Sequence, residues 1–290
     1  METLVALVPA NLDPNVLQRK QERLFALLRE MGRVVVAYSG GTDSAFLAWA
    51  AARVLGDNAI AVTADSPSLP ESHKRDAIEF ARRYGFRHEL IQTREFENPN
   101  YVRNDERRCF YCKDELFTRL KEFAAQRGIQ HIVYGVNKDD LGDYRPGQLA
   151  AQQHGVRAPL VEADLSKREI RELARLAGLS FWNRPASACL SSRIAYGISV
   201  TPERVKLIER GEEAVRALGF RQFRARYHGD LVRLEFAPEE LPKALNPEVA
   251  AQLVEIFKPL GFHYVTLDLE GYRQGSLNES LRARSQASSL

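Results

Sequence analysis

The sequence predicts an α/β protein: a doubly wound parallel sheet followed by a second, smaller α+β domain. Two observations lead there. In the first half, short apolar runs alternate with stretches of helical period, and the runs are unbroken, as strands buried on both faces are. After Thr201 the order becomes helix, strand, strand, helix, strand, a rhythm that no longer fits parallel crossovers.

Taken in order, residues 15–31 form an amphipathic lead helix, and Arg33–Ser39 is the first buried strand. A helix is expected from about Ser44 to Leu55, a strand over Asn58–Ala64, a helix from about Pro70 to Tyr84 and a third strand over Phe86–Ile91. Cys112–Arg127 reads as a helix stopped by Gly128, and Gln130–Gly135 as a fourth strand. Strands joined through helices of this length imply right-handed crossovers. Val136–Gly147 is a polar, Asp- and Gly-rich loop. Ser166 with Glu169 has the spacing of a capping box, and Gly178 closes that helix. Asn183–Gly197 is an irregular connector carrying Cys189. These elements place the domains at 1–197 and 198–280, with a polar, fraying tail over 281–290.

At 290 residues and 44% hydrophobic, the chain can bury a sizeable core. A net charge of +3 gives no polyanion-coating surface, which disfavours nucleic acid as a partner. No secretory signal is visible at the start and no apolar run is long enough to span a bilayer, so a cytoplasmic protein is expected. The three cysteines, Cys109, Cys112 and Cys189, are too few and of the wrong parity for a disulfide framework.

Ser39-Gly40-Gly41-Thr42-Asp43-Ser44 lies between the first strand and its helix. Two glycines let the backbone turn closely around an anion, while hydroxyls and helix-start amides supply donors. The lysine-bearing Walker loop is absent, and the bland alternative is a turn with a helix cap. The hexapeptide resembles the signature of the PP-loop ATP pyrophosphatases. That resemblance implies ATP with Mg²⁺, a cradle for the β- and γ-phosphates, and pyrophosphate release that leaves AMP on the substrate. Ligands of open α/β sheets sit beyond the carboxyl ends of the strands. There, Ala64, Ser66 and Gly135 are expected beside the nucleotide. Asp43 or Asp140 could hold the metal, and Arg145 could pair with an anion.

Longer strings narrow the resemblance. Asp143-Tyr-Arg-Pro-Gly147, Ser191-Ser-Arg-Ile-Ala-Tyr-Gly197, Phe223–Asp230 with Arg233–Glu235, and Gly261–Tyr272 together resemble the LarE family over nearly the whole chain. Its members are sulfur transferases that help to build the nickel-pincer nucleotide of lactate racemase. The resemblance implies adenylylation of the carboxylates of pyridinium-3,5-biscarboxylic acid mononucleotide and their conversion to thiocarboxylates. It also implies that Ser192, Arg224, Arg226 and Glu235 contact substrate phosphate, AMP or metal, and that the protein is a ring-like homo-oligomer such as a hexamer. Arg224 and Arg226 alternate with period two and so share one face of a strand; with Arg193 they are candidates for holding substrate anions.

The sulfur source is where the sequence departs from one form of that family. In that form a single cysteine surrenders its sulfur, and aligning through Ser191-Ser192-Arg193 puts its position at Ala188 rather than Cys189. Cys109-Phe-Tyr-Cys112 with Cys189 instead resembles a three-cysteine branch. There, three thiolates hold a [4Fe–4S] cluster whose open iron carries sulfide from an external donor. Other readings stay open: zinc with a histidine such as His73 or His88, a Cys109–Cys112 redox pair, inert thiols, or Cys189 acting as a single-turnover donor. Beyond these stand a PP-loop tRNA thiolase, which would need a basic RNA-binding face, an ammonia-using synthetase, and a non-catalytic nucleotide sensor.

Overall fold

The computed structural model describes residues 12–142, 146–184, 188–273 and 275–278. Asp143, Arg145 and the 281–290 tail lie outside the described residues.

Helix α1 (Pro14–Met31) starts on an Asp13 cap with Pro14 at its first position and buries Leu17, Leu24, Leu28 and Met31. Strand β1 (Val34–Ala37) is buried throughout, with Val34 and Val36 in the core on one face of the sheet and Val35 and Ala37 in the core on the other. Then follow α2 (Thr42–Leu55), β2 (Ala59–Asp65), α3 (Glu71–Arg83), β3 (Arg87–Gln92), α4 (Pro99–Val102), α5 (Arg108–Gln126) and β4 (His131–Tyr134). All three pairings are parallel, and the strand order is β3-β2-β1-β4. The chain leaves β1 for β2 on one side and returns to β4 on the other. The topological switch, where open sheets of this kind bind ligands, therefore falls between the carboxyl ends of β1 and β4.

Helices α6 (Pro146–Gln153), α7 (Pro159–Glu162) and α8 (Lys167–Leu176) complete the first unit, and the expected Ser166–Glu169 capping box is formed at α8. The second unit comprises α9 (Pro202–Ala217), β5 (Phe223–Tyr227), β6 (Leu231–Phe236), α10 (Leu241–Ala244), α11 (Pro247–Phe257) and β7 (Tyr264–Leu267). Its sheet is mixed: β5 runs antiparallel to β6, and β6 parallel to β7. Gly229, at φ +80°, makes the tight turn between β5 and β6. A separate core of Phe220, Phe223, Phe236, Phe257 and aliphatic neighbours fills this unit.

Two expectations need correction. Helix α5 begins at Arg108 rather than Cys112, so both of its cysteines lie in its first two turns; the Arg108 side chain is buried and hydrogen-bonded there, which extends the helix toward its start. The stretch expected as one polar loop contains a 3-10 turn (Lys138–Gly142) and the start of α6, where Pro146 presets the helical φ. No helix among the described residues is long and apolar enough to cross a membrane.

Candidate active site: a phosphate cradle and three thiols on one sheet edge

The phosphate loop is braced by its own side chains. Gly40 sits at φ +73°, a left-handed conformation that a residue with a Cβ resists, whereas Gly41 is extended. The Ser44 hydroxyl donates to the Gly41 carbonyl (3.1 Å), accepts from the Ser39 amide (3.2 Å) and meets the Ser39 hydroxyl (3.1 Å). Thr42 is turned away, onto the Phe181 carbonyl. No side chain caps α2, so its first amides remain available to an anion. Gly135, at the end of β4, abuts this helix start: a Cβ there would lie 2.6 Å from Ser44 N and 2.7 Å from Ser44 Cα. Its glycine is thus required by close backbone approach.

Asp43 and Asp140 are linked through Asn137, which donates to both. The Asp43 Oδ2 accepts from Lys167 Nζ (2.6 Å) and Asn137 Nδ2 (3.3 Å), while its Oδ1 is buried without a hydrogen-bond partner. Burial raises the Asp43 pKa; Lys167 opposes the shift and Asp140 adds to it. Asp140 accepts from the Asn137 amide (3.1 Å). At the end of β2, the Ser66 hydroxyl donates to Glu95, a buried carboxylate, and Ala64 pairs with Ile91 in the sheet. Arg184 donates to the Gly40 carbonyl (3.3 Å) and pairs with Asp76. The backbone of His73 lies against Gly40.

The second unit supplies a buried set of arginines. Arg224 and Arg226 share one face, as their spacing predicts, but differ in engagement. Arg226 donates to the Ser192 carbonyl (2.7 Å), Glu235 (2.9 Å) and Ser276 (2.9 Å), while its Nε is buried and unpartnered. Glu235 also accepts from Arg233 and Ser276, so its carboxylate is held by three protein donors. Arg224 bonds to Tyr272 Oη (3.0 Å) and lies over that ring, and burial followed by Arg226 lowers its pKa. Arg193 is paired with Glu212 at 2.9 Å and donates to the Ala188 carbonyl; with Ser192 Oγ, which donates to the Cys189 carbonyl, it shapes the Cys189 segment.

The three cysteines are free; Cys109 and Cys189 are exposed, and Cys112 packs against the second core. Burial pushes the Cys112 thiol up, and Cys189, Glu95 and Cys109 add to the shift against Lys113. Among the described residues, no three His, Cys, Asp or Glu side chains form a group that could hold a metal ion. The donor chemistry of the thiols suits iron or zinc, but among the described residues they are not a formed ligand set. His88 is engaged by Thr63 and Tyr38 on the sheet, so it does not complete a zinc site.

What sequence reasoning missed is mainly what holds these parts together. The hydroxyls of Ser68, Tyr101 and Ser191 form a buried triangle with sides of 2.6–2.8 Å, and the Leu190 amide donates to the Ser68 carbonyl. Lys167 was also overlooked. Its one visible signal is a cation in the first turn of a helix, where the helix dipole disfavours positive charge.

A parallel sheet with its phosphate loop at the switch point defines the class as a PP-loop nucleotide enzyme. The sequence profile of the NAD synthase family matches residues 22–108. A Synechocystis sp. protein of uncharacterised function is 45% identical over 266 residues, covering 92% of this chain and 99% of that one. The pyridinium-3,5-bisthiocarboxylic acid mononucleotide synthase of Lactiplantibacillus plantarum is 36% identical over 268 residues, covering 91% of this chain and 96% of that one. A tRNA(Ile)-lysidine synthase from Bradyrhizobium sp. is 31% identical over 162 residues, covering 53% of this chain and 43% of that one. The chain belongs to the LarE family of PP-loop sulfur transferases.

Two outcomes follow from this geometry. Replacing Gly135 by Ala forces a Cβ into the backbone of Ser44 and should destabilise the fold by about 1–3 kcal/mol. Isothermal titration should show weaker nucleotide binding as the loop is displaced. His73 has its pKa lowered from 6.5 to about 4, first by burial and then by the charges of Arg184, Arg216 and Arg193. A depressed histidine pKa means that the folded state binds its proton less readily than the unfolded chain. Stability should therefore be intact above about pH 6.5 and fall on acidification toward pH 4, by on the order of 2–3 kcal/mol from this group. Denaturant melts from pH 7 to pH 4 should show a shallower fall in His73→Asn.

Proposed function

We propose that this enzyme adenylylates a carboxylate of pyridinium-3,5-biscarboxylic acid mononucleotide and exchanges one carboxylate oxygen for sulfur. The observation that carries the reading is the convergence of its parts on one edge of the sheet. The phosphate loop follows β1. Helix α5, which leads into β4, must begin at that same carboxyl edge, and it carries Cys109 and Cys112 at its start. The Cys189 connector is fastened there through Ser68, beyond the end of β2. The L. plantarum relative, similar along nearly its whole length, bears a name that matches this product.

In this reading Ser39, Gly40, Gly41, Thr42 and Ser44 surround the triphosphate, and Asp43 and Asp140 would hold Mg²⁺, which would neutralise phosphate charge. Ala64, Ser66 and Gly135 border the nucleoside. Arg224 and Arg226, set by Glu235 and the Ser192–Arg193 turn, receive the substrate phosphate. A carboxylate oxygen attacks the α-phosphorus, the α–β anhydride bond breaks, and pyrophosphate leaves. A sulfur nucleophile then adds to the acyl carbon, and the C–O bond breaks to release AMP. Amides at the start of α2 stabilise the charge that develops on the phosphates.

The sulfur enters from the thiol face. Cys109, Cys112 and Cys189 would be the ligands of a [4Fe–4S] cluster if their side chains closed on it, and the bound cluster would supply the sulfide atom. A second reading is favoured by the exposure of Cys189: Cys189 gives up its own sulfur in one turnover.

The test is an anaerobic incubation of protein, ATP, Mg²⁺ and the dicarboxylate nucleotide, with and without sulfide. AMP and pyrophosphate should appear in equal amounts only with the acceptor, and the acceptor should gain mass by sulfur-for-oxygen exchange. Hydrolysis of ATP without an acyl-sulfur product would refute the reading. If product forms once per chain while Cys189 loses the elements of H₂S, the second reading holds. Multiple turnovers with sulfide, abolished in Cys112→Ala together with bound iron, favour the cluster.

A further inference from the structure

We propose that His228 and Arg233 bind the second carboxylate of the substrate, the one not under activation, beside the Nε of Arg226. The inference rests on the dicarboxylate reading above and adds two residues to which that reading gives no role.

Strand pairing sets these side chains together. The apolar face of the second sheet carries Phe223, Ala225, Val232, Leu234 and Phe236 into the core. Side chains alternate along a strand, so Arg224 and Arg226 on β5 and Arg233 and Glu235 on β6 share the opposite face. Arg226 stands directly across from Arg233. The His228 amide donates to the Leu231 carbonyl (2.9 Å), which continues the ladder one residue past β5 and keeps His228 in the alternation. Opposed residues in such a pair have Cβ atoms about 5 Å apart, and same-face neighbours along a strand lie about 7 Å apart.

Two observations point to a ligand. Like charges directly opposite one another destabilise a sheet, yet Arg226 and Arg233 are so placed, with Glu235 bonded to both. In addition, Arg226 Nε, Arg233 Nε and His228 Nε2 are buried without a hydrogen-bond partner among the described residues. Asp268 Oδ2 approaches Arg233 Nε to 3.6 Å, beyond hydrogen-bond distance. Each buried donor left unpaired costs roughly 1–3 kcal/mol, so several on one face call for an acceptor. Burial lowers the His228 pKa, and Arg233 and Arg226 lower it further against Glu235. The neutral ring can carry its proton on Nε2 and donate it.

The class of anion follows from which nitrogens are left. A phosphate is matched by the forked end of a guanidinium. Arg226 has turned its Nη atoms to the Ser192 carbonyl, Glu235 and Ser276, and Arg233 has given Nη2 to Glu235. What remains are single N–H groups on separate residues, which suit the two oxygens of a carboxylate. The substrate of the proposed reaction has two carboxylates, and one α-phosphorus takes one of them at a time. The Arg226–Ser192 bond and the bridge between Ile194 and Tyr227 tie β5 to the connector that carries Cys189. A carboxylate held on this face would fix the ring while the other is activated.

The test is equilibrium binding of two nucleotides to wild type, His228→Leu, His228→Gln and Arg233→Met. One is pyridinium-3,5-biscarboxylic acid mononucleotide, and the other is the pyridinium mononucleotide that lacks both carboxylates. Loss of one hydrogen bond to a charged group predicts that His228→Leu and Arg233→Met each weaken the dicarboxylate about 10- to 100-fold. The unsubstituted nucleotide, which keeps the ring and phosphate, should change by less than about threefold. His228→Gln restores an N–H donor and should regain part of the loss. Equal weakening of both nucleotides, or unchanged dicarboxylate binding, would overturn the proposal. A crystal structure of the wild-type protein with the dicarboxylate gives an answer that does not depend on the variants folding. A carboxylate within hydrogen-bond distance of His228 Nε2 and Arg233 Nε is expected; the phosphate in that place, or no substrate atom there, sinks the assignment. Failure of the wild type to bind the dicarboxylate at all overturns the dicarboxylate reading and this inference with it, whereas full binding by the variants overturns only the inference.

Discussion

Asn104 and Arg108 fasten the cysteine-bearing connector to the α4–α5 segment, and the site depends on that attachment. Asn104 takes a left-handed conformation, φ 58°, and its amide donates to the carbonyls of Ile194, Ala195 and Ile198. Its own carbonyl oxygen accepts from Arg108 at 2.6 Å, and Arg108 donates in turn to the Ser191 carbonyl at 2.8 Å. Each hydrogen bond involving a charged group is worth roughly 1.5–3 kcal/mol, and an unpaired buried carbonyl would cost a similar amount. An irregular stretch without sheet or helix bonds needs such partners for its backbone. With them, the backbone of the connector that carries Cys189 is tied to the segment that starts α5.

The same attachment joins the two units. The Ser68–Tyr101–Ser191 hydroxyl triangle links the loop after β2, helix α4 and the connector, and a parallel bridge joins Ile194 to Tyr227 at the end of β5. Arg226 then reaches back to the Ser192 carbonyl. Buried polar networks are stable only when fully satisfied. Here the atoms left over are informative: Asp43 Oδ1 on the phosphate side and Arg226 Nε on the arginine side. Both atoms are buried without a hydrogen-bond partner on residues to which the proposed chemistry assigns a metal or an anion.

Much of this was legible in the sequence, for identifiable reasons. Strands buried on both faces leave unbroken apolar runs, so Val34–Ala37 and Ala59–Asp65 stand out, and Ser166–Glu169 announces its own capping box. The phosphate loop is local, which allows a hexapeptide to identify it. The early start of α5 was not legible, because a buried Arg108 with partners at Asn104 and Ser191 extends it, and one of those partners is distant in sequence. Short proline-led helices such as α4 and α7 fall below any usable period. Arg193 reads from its string as an anion contact, yet the fold gives it Glu212, which only tertiary packing reveals. The Lys167–Asp43 pair spans 124 residues and leaves no motif at all.

The central claim is that the carboxylate is activated by AMP before sulfur arrives, and isotope tracing addresses it most directly. The dicarboxylate nucleotide would be prepared with ¹⁸O in its carboxyl groups and turned over with ATP and a sulfur source. Mass spectrometry would then locate the label. Attack of the carboxylate on the α-phosphorus predicts one ¹⁸O atom in the phosphate of each AMP released and none in pyrophosphate. Label in inorganic phosphate or pyrophosphate, or AMP free of label while thiocarboxylate forms, would contradict the account.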